Sequence, residues 1–413
     1  MKSFSELSLS AQLKSNLDRN GFTQPTPVQA LAIEPALAGK DVVATAQTGT
    51  GKTLAFVLPI IQLLSAEPRS AGVRAVILSP TRELAIQIQQ VFGQMSMGTG
   101  IHAAIVIGGL NEKTQLQAIR KGAQVLIATP GRLCDFLSRQ LADLGNVRIL
   151  VLDESDRMLD MGFLPSIRRI TAAIPAARQT LFYSATMETS VKHLVETHVK
   201  NPVRIELGSI TKPSDQVDLH FYEVEQDRKL LLLQMMLREE RGSFLVFART
   251  RHGADRLAGK LSREGVKTAA IHGDRSQNQR NQALKGFQDG YYRVLVATDV
   301  AARGIHVEGI AHVVNYDLPQ VPEDFIHRVG RTGRMGARGT ASTFATRAER
   351  SDVTRIERTL SIQFTRHAVS AEIMGERRDS APVIIIPFVP PPARWRSFGG
   401  AGTRGRRAVR RAV

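Results

Sequence analysis

At 413 residues the chain is too long for one ordinary core, and two domains with a tail are the natural division. A hydrophobic content of 43% with 23% charged residues is that of a globular protein, and the net charge of +17 points to a polyanionic partner. The single cysteine, Cys134, excludes an internal disulfide and a thiolate zinc cluster and suits a reducing compartment.

The first residues lack the apolar centre of a signal peptide, and no run reaches the roughly 18 apolar residues of a membrane span, so a cytoplasmic protein with no membrane partner is expected. Residues 41–45 read as a buried strand and residues 54–58 as the start of a helix. Between them lies Ala46-Gln47-Thr48-Gly49-Thr50-Gly51-Lys52-Thr53. A glycine-containing turn from strand to helix directs successive N–H groups inward, toward phosphate oxygens at the positive end of the helix. Lys52 would reach the terminal phosphates, and the Thr53 hydroxyl would ligate Mg²⁺. The first position is Ala46 rather than Gly, but the strand–turn–helix context of a nucleoside triphosphate site holds.

Further β-branched runs at 73–78, 104–107, 125–128, 149–152 and 180–183 alternate with helix-like sequence, the rhythm of a parallel sheet with crossover helices. The rhythm pauses at a Gly/Pro-containing polar stretch and resumes at 244–247, 268–271, 294–297, 311–315 and 340–344. The expected division is therefore a first domain at 1–207, a linker at 208–216, a second domain at 217–366 and a basic tail at 367–413. The tail combines Pro390-Pro391-Pro392 with seven arginines from Arg394 onward and no acid after Asp379, so it is expected to be disordered in isolation.

The run at 149–152 leads directly into Asp153-Glu154-Ser155-Asp156. Open α/β sheets place ligands at the carboxyl ends of buried parallel strands. Paired with the phosphate loop, Asp153 fits Mg²⁺ held through water, and Glu154 is placed to orient or deprotonate the attacking water. Gln29 carries an amide that both donates and accepts, as the N6/N7 edge of adenine requires. Arg328, Arg331 and Arg334 recur at helical spacing, and Arg331 and Arg334 are best explained as arginine fingers supplied by the second domain. No aromatic residue interleaves with the Gly- and hydroxyl-rich turns, so contact with a nucleic-acid backbone is expected rather than base stacking.

From Phe4 to Phe344 these motifs, in this order, resemble the DEAD-box RNA helicases. The resemblance implies two tandem RecA-like domains, each a mostly parallel sheet with helices on both faces, with ATP and Mg²⁺ as cofactors and RNA as partner. Phe4, Phe22, Thr23 and Gln29 are similar to the adenine-reading Q motif, and residues 46–53 to motif I. Pro80-Thr81-Arg82-Glu83-Leu84-Ala85, Gly108-Gly109 and Thr129-Pro130-Gly131-Arg132 resemble the RNA-contacting motifs of the first domain. Arg249, Arg280 and Thr298 resemble those of the second. Asp156, Ser184-Ala185-Thr186, Asp299 and Arg303 are similar to residues that couple nucleotide state to RNA. The compact length and short basic tail are similar to the bacterial RhlE type.

Two positions depart from the family pattern. Ser155 stands where relatives carry Ala, and its hydroxyl could rewire contacts near Glu154. His306 stands where relatives carry an Asp that contacts the ATP ribose. The expected function is RNA-stimulated ATP hydrolysis, with domain closure and local, non-processive unwinding of short duplexes. An RNA-binding clamp or chaperone with weak hydrolysis, suggested by Ser155 and His306, and a DNA helicase of the same superfamily are the alternatives. The oligomeric state is left open between a monomer and an assembly, and the sequence names neither the RNA nor protein partners in ribosome assembly or RNA decay.

Overall fold

The computed structural model describes residues 3–46, 50–68, 72–207, 216–302, 309–333 and 338–369, without the side chains of Val300 and Glu323. Gln47, Thr48, Gly49, Arg303, His306, Arg334, most of the expected linker and the arginine-rich tail lie outside the described residues.

The first sheet contains β1 (Val42–Ala46), β2 (Ala75–Leu78), β3 (Ala103–Val106), β4 (Val125–Ala128), β5 (Ile149–Leu152), β6 (Gln179–Ser184) and β7 (Val203–Leu207), in the order β3-β4-β2-β5-β6-β1-β7. Every pairing in it is parallel. Such strands are covered on both faces, which is why β2, β4 and β5 are unbroken apolar runs with every residue buried. Alternate residues supply two cores. Ile77, Val151 and Leu181 face one side, where α1 (Ala11–Arg19), α2 (Pro27–Leu37), α3 (Lys52–Ala66) and α4 (Arg82–Ser96) pack through Leu13, Val28, Phe56 and Phe92. Val76, Leu150 and Phe182 face the other. There α6 (Pro130–Ser138), α7 (Ser155–Asp160), α8 (Leu164–Ala172) and α9 (Thr189–His198) pack through Phe136, Met158, Ile167 and Leu194, with α5 (Glu112–Arg120) at their edge.

The second sheet repeats the plan. It holds β8 (Val217–Glu223), β9 (Phe244–Phe247), β10 (Thr268–Ile271), β11 (Val294–Ala297), β12 (His312–Asn315), β13 (Gly339–Ala345) and β14 (Thr365–His367), again parallel throughout, in the order β10-β11-β9-β12-β13-β8-β14. One face is covered by α10 (Lys229–Glu239) and α11 (Arg251–Arg263). The other is covered by α12 (Gln277–Gln288), α13 (Asp299–Ala302), α14 (Pro322–Val329) and α15 (Arg350–Leu360). Three strands, β7, β8 and β14, stand outside the runs read from the sequence. β14 carries the second sheet to His367, one residue past the expected domain edge. Because all strands run parallel, the phosphate loop, the acidic quartet and the hydroxyl-rich turns gather at the carboxyl edges of their sheets.

Candidate active site and nucleic-acid interface

The nucleotide side is organised by Gln29 and Gly51. Gly51 caps α3 at φ +84°, in the left-handed region, and a Cβ there would lie 2.6 Å from Gln29 Nε2. Only glycine satisfies both constraints. Gln29 is buried, its Oε1 accepting from Thr26 N–H at 2.9 Å and its Nε2 donating to the Gly51 carbonyl at 2.8 Å. The Gln29 amide thus ties the start of α2 to the residue before α3. Lys52, buried at the first position of α3, donates to the Ala46 carbonyl at 2.9 Å. Thr50 and Thr53 flank it, both half-buried. Phe4 is a core residue under α1–α4, Phe22 packs partly buried at the edge of that core, and Thr23 is exposed.

At the end of β5, Asp153 N–H donates to the Leu78 carbonyl, while its buried Oδ1 has no hydrogen-bond partner. Burial pushes the Asp153 carboxyl up to about 7 against the pull of Lys52, with Glu154 adding to the rise. Glu154 turns the chain from strand to helix at φ 50° and ψ 51°, a left-handed conformation that costs a non-glycine residue on the order of 1 kcal/mol. Burial works to raise its carboxyl too, but Arg157, Lys52 and Arg331 outweigh it and hold Glu154 below the usual carboxylate range. Arg157 Nη1 donates to Glu154 Oε2 at 2.7 Å. The carboxyls of the two neighbouring acids are therefore shifted in opposite directions.

Ser155 Oγ donates to the Tyr183 carbonyl at 3.2 Å, so its hydroxyl is engaged on β6 rather than at Glu154. Asp156 Oδ2 accepts from the backbone N–H of Ala185 at 2.9 Å and of Thr186 at 3.0 Å. That clasp joins the acidic quartet to the turn after β6, where Ser184 is fully buried.

The second domain meets this site with Arg331, which is buried and close enough to Glu154 to hold its carboxyl down. α14 ends at Val329, so Arg331 lies in the turn beyond Gly330, and helical spacing does not account for its position. Arg328, on the last turn of α14, is an internal strut. It grips both carboxylate oxygens of Asp299, reaches Asn315 Oδ1 and the Asp317 carbonyl, and stacks 5.0 Å over Phe247. Glu83 lies in a motif expected to contact RNA, and its role between the domains was not read from the sequence: it joins them. Its Oε1 accepts from Gln277 Nε2 at 2.9 Å and its Oε2 pairs with Arg280 Nη2 at 2.8 Å, with all three residues buried. An acid directly after Arg82, in a motif expected to contact RNA, was the available signal.

The expected RNA contacts are divided. Thr81 caps α4 with its hydroxyl and Thr129 and Pro130 open α6, while Thr250, not among the expected contacts, caps α11; these positive helix ends begin just beyond the carboxyl ends of β2, β4 and β9. Pro80 and Thr298 are buried at the same edges. Arg82 runs against Gly108 and Gly109, and a Cβ on Gly109 would collide with its guanidinium. Arg132 is held by Glu112 at 3.2 Å and Asp135 at 2.9 Å. The backbone N–H of Arg249 donates to Asp317, and its guanidinium pairs with Glu349 at 3.1 Å. Arg280, expected on RNA, is engaged by Glu83 instead.

The DEAD/DEAH box helicase family matches residues 26–194, and the helicase conserved C-terminal domain matches residues 227–336. The ATP-dependent RNA helicase RhlB of Pseudomonas syringae is 40% identical over 337 residues, covering 79% of this chain and 85% of the relative. The chain belongs to the DEAD-box helicase family. The DEAD-box ATP-dependent RNA helicase CshA of Streptococcus pneumoniae is 40% identical over 329 residues, covering 79% of this chain but 62% of that relative's length. The structure of Saccharomyces cerevisiae Dbp5 bound to RNA and ADP-BeF3 aligns with a TM-score of 0.80 at 32% identity, covering 90% of this chain and 97% of Dbp5. A match of that extent spans both RecA-like domains of this DEAD-box chain at once, so they stand in a similar mutual arrangement. Among the described residues, no helix is long and apolar enough to cross a membrane.

Proposed function

We propose that the chain is an ATP-dependent RNA helicase in which two domains close around ATP and RNA, and RNA-stimulated ATP hydrolysis is coupled to that closure and to local, non-processive separation of short duplexes. The observation that carries this reading is that Arg331 of the second domain lines one small cavity with Arg157 of the first, the hydrogen-bond partner of Glu154. A hydrolytic site completed only when two domains meet is one whose turnover a ligand bridging them can control. The names of RhlB and CshA, and the RNA and ADP-BeF3 bound by Dbp5, support the same assignment.

The residues present fit ATP and Mg²⁺. The N-terminus of α3, Lys52 and the glycine-only cradle at Gly51 suit phosphates, and Gln29 and Phe22 border the place of the base. Thr53 and the partnerless Oδ1 of Asp153 suit Mg²⁺. Among the described residues, no group of three or more His, Cys, Asp or Glu could hold a metal, as expected for an ion shared with substrate phosphates. Bound Mg²⁺ would neutralise charge developing on the phosphates. Glu154, held ionised, accepts a proton from and orients the attacking water. Arg331, with Arg334, stabilises the charge of the transferring group. Asp156 links that chemistry to residues 184–186. RNA would lie along the helix N-termini of α4, α6 and α11, read through its phosphates.

The weak-hydrolysis clamp loses support at Ser155, whose hydroxyl is engaged by Tyr183. ATP turnover measured without nucleic acid, with RNA and with DNA tests the proposal. Stimulation by RNA alone is expected. Equal stimulation by DNA, or none by either, would overturn it.

A further inference from the structure

Arg157 follows the acidic quartet and is 1% exposed. Its Nη1 donates to Glu154 Oε2, while Nε and Nη2 are buried with no hydrogen-bond partner. A guanidinium carries five N–H donors, and burying it with most of them unmatched is unfavourable unless the position does something else. The same guanidinium borders a small cavity of about 10 Å³ that Phe247, Asp299, Asp324, Arg328 and Arg331 of the second domain also line. One side chain thus touches Glu154 and faces the second domain.

We propose that Arg157 is the positioning residue through which domain closure sets Glu154, an inference that rests on the chain being an RNA-stimulated ATPase. With the domains together, the second domain shields the guanidinium from solvent, and its hydrogen bond to Glu154 is strong in the dry, low-dielectric interface. With the domains apart, that edge faces water, which competes for the same donors and leaves the Glu154 carboxylate free to turn. Closure then readies the general base as well as delivering Arg331. Arg157 touches no substrate and acts through Glu154.

The test is ATP turnover by the full chain. Arg157→Met should lower RNA-stimulated kcat about tenfold or more, as misplacement of a catalytic group does, with KM for ATP and RNA within about threefold. Arg157→Lys, which keeps a cation, should restore part of the loss. In single turnovers on a Glu154→Gln background, Arg157→Met should change the residual rate by less than about twofold. A kcat within about twofold of wild type, or the same loss in both backgrounds, overturns the inference. Should Arg157→Met fail to fold, Arg157→Lys carries the test: reduced kcat at unchanged KM supports the role, and wild-type kcat overturns it. Absence of RNA stimulation in the wild-type chain would remove the functional reading itself, and this inference with it.

Discussion

Glu83 in the first domain and Arg280 in the second form a buried ion pair at 2.8 Å, although 197 residues separate them in the chain. Gln277 donates to the other oxygen of the same carboxylate. The motif expected to touch RNA in one domain is therefore tied to the motif expected to touch RNA in the other. Breaking a buried pair by removing one partner costs about 3–5 kcal/mol because the remaining charge is stranded. Arg280→Met should weaken closure, raising the RNA concentration needed for half-maximal ATP turnover about tenfold or more, while each domain stays folded by circular dichroism. An unchanged RNA dependence would show that the pair does not hold the closed state.

Glu154→Gln keeps the size of the side chain but removes the proton acceptor. ATP and RNA binding should stay within a few-fold of wild type, while turnover falls about a hundredfold or more. Nucleotide binding by fluorescence and phosphate release by a coupled assay separate the two effects. Comparable turnover in the two proteins would remove Glu154 from the catalytic role.

Asp156 accepts from Ala185 and Thr186 N–H and from its neighbour Arg157 N–H. Asp156→Asn leaves one oxygen for these donors and turns an NH2 toward them, at about 1.5–3 kcal/mol for each charge-assisted bond lost. The melting temperature should fall, and RNA should stimulate hydrolysis less. Unaltered melting and stimulation would mean that the clasp is dispensable.

Ser155→Ala removes only the hydroxyl bonded to the Tyr183 carbonyl, a change of about 1 kcal/mol in stability. ATP turnover should stay within about twofold, since the hydroxyl is engaged away from Glu154. A large gain in rate would show that serine restrains the acidic quartet after all.

The strands buried on both faces were legible because parallel sheets demand continuous apolar runs. β4, β5, β9 and β11 begin and end where the residues predict. β7, β8 and β14 were not, since Val203–Leu207 is exposed at Arg204 and Glu206, β8 interleaves Asp218 and His220, and β14 is three residues of Thr, Arg and His. Their pairing depends on neighbours far along the chain rather than on local pattern. The places of Lys52 and Asp153 were readable because the turn before α3 and the acidic quartet follow strands whose positions the pattern sets. Their partners were not. No periodicity indicates that Glu83 faces Gln277 and Arg280, that Arg82 needs the space at Gly109, or that Arg157 grips Glu154.

Arg331→Ala tests most directly whether two domains build a single hydrolytic site. RNA-stimulated ATP turnover and RNA affinity are measured side by side for this variant and the wild-type chain. Loss of an arginine finger should lower turnover by about 10³-fold or more with RNA affinity within a few-fold. Turnover within about tenfold of wild type would contradict the composite site, because hydrolysis would then not depend on the arginine that the second domain brings to Glu154.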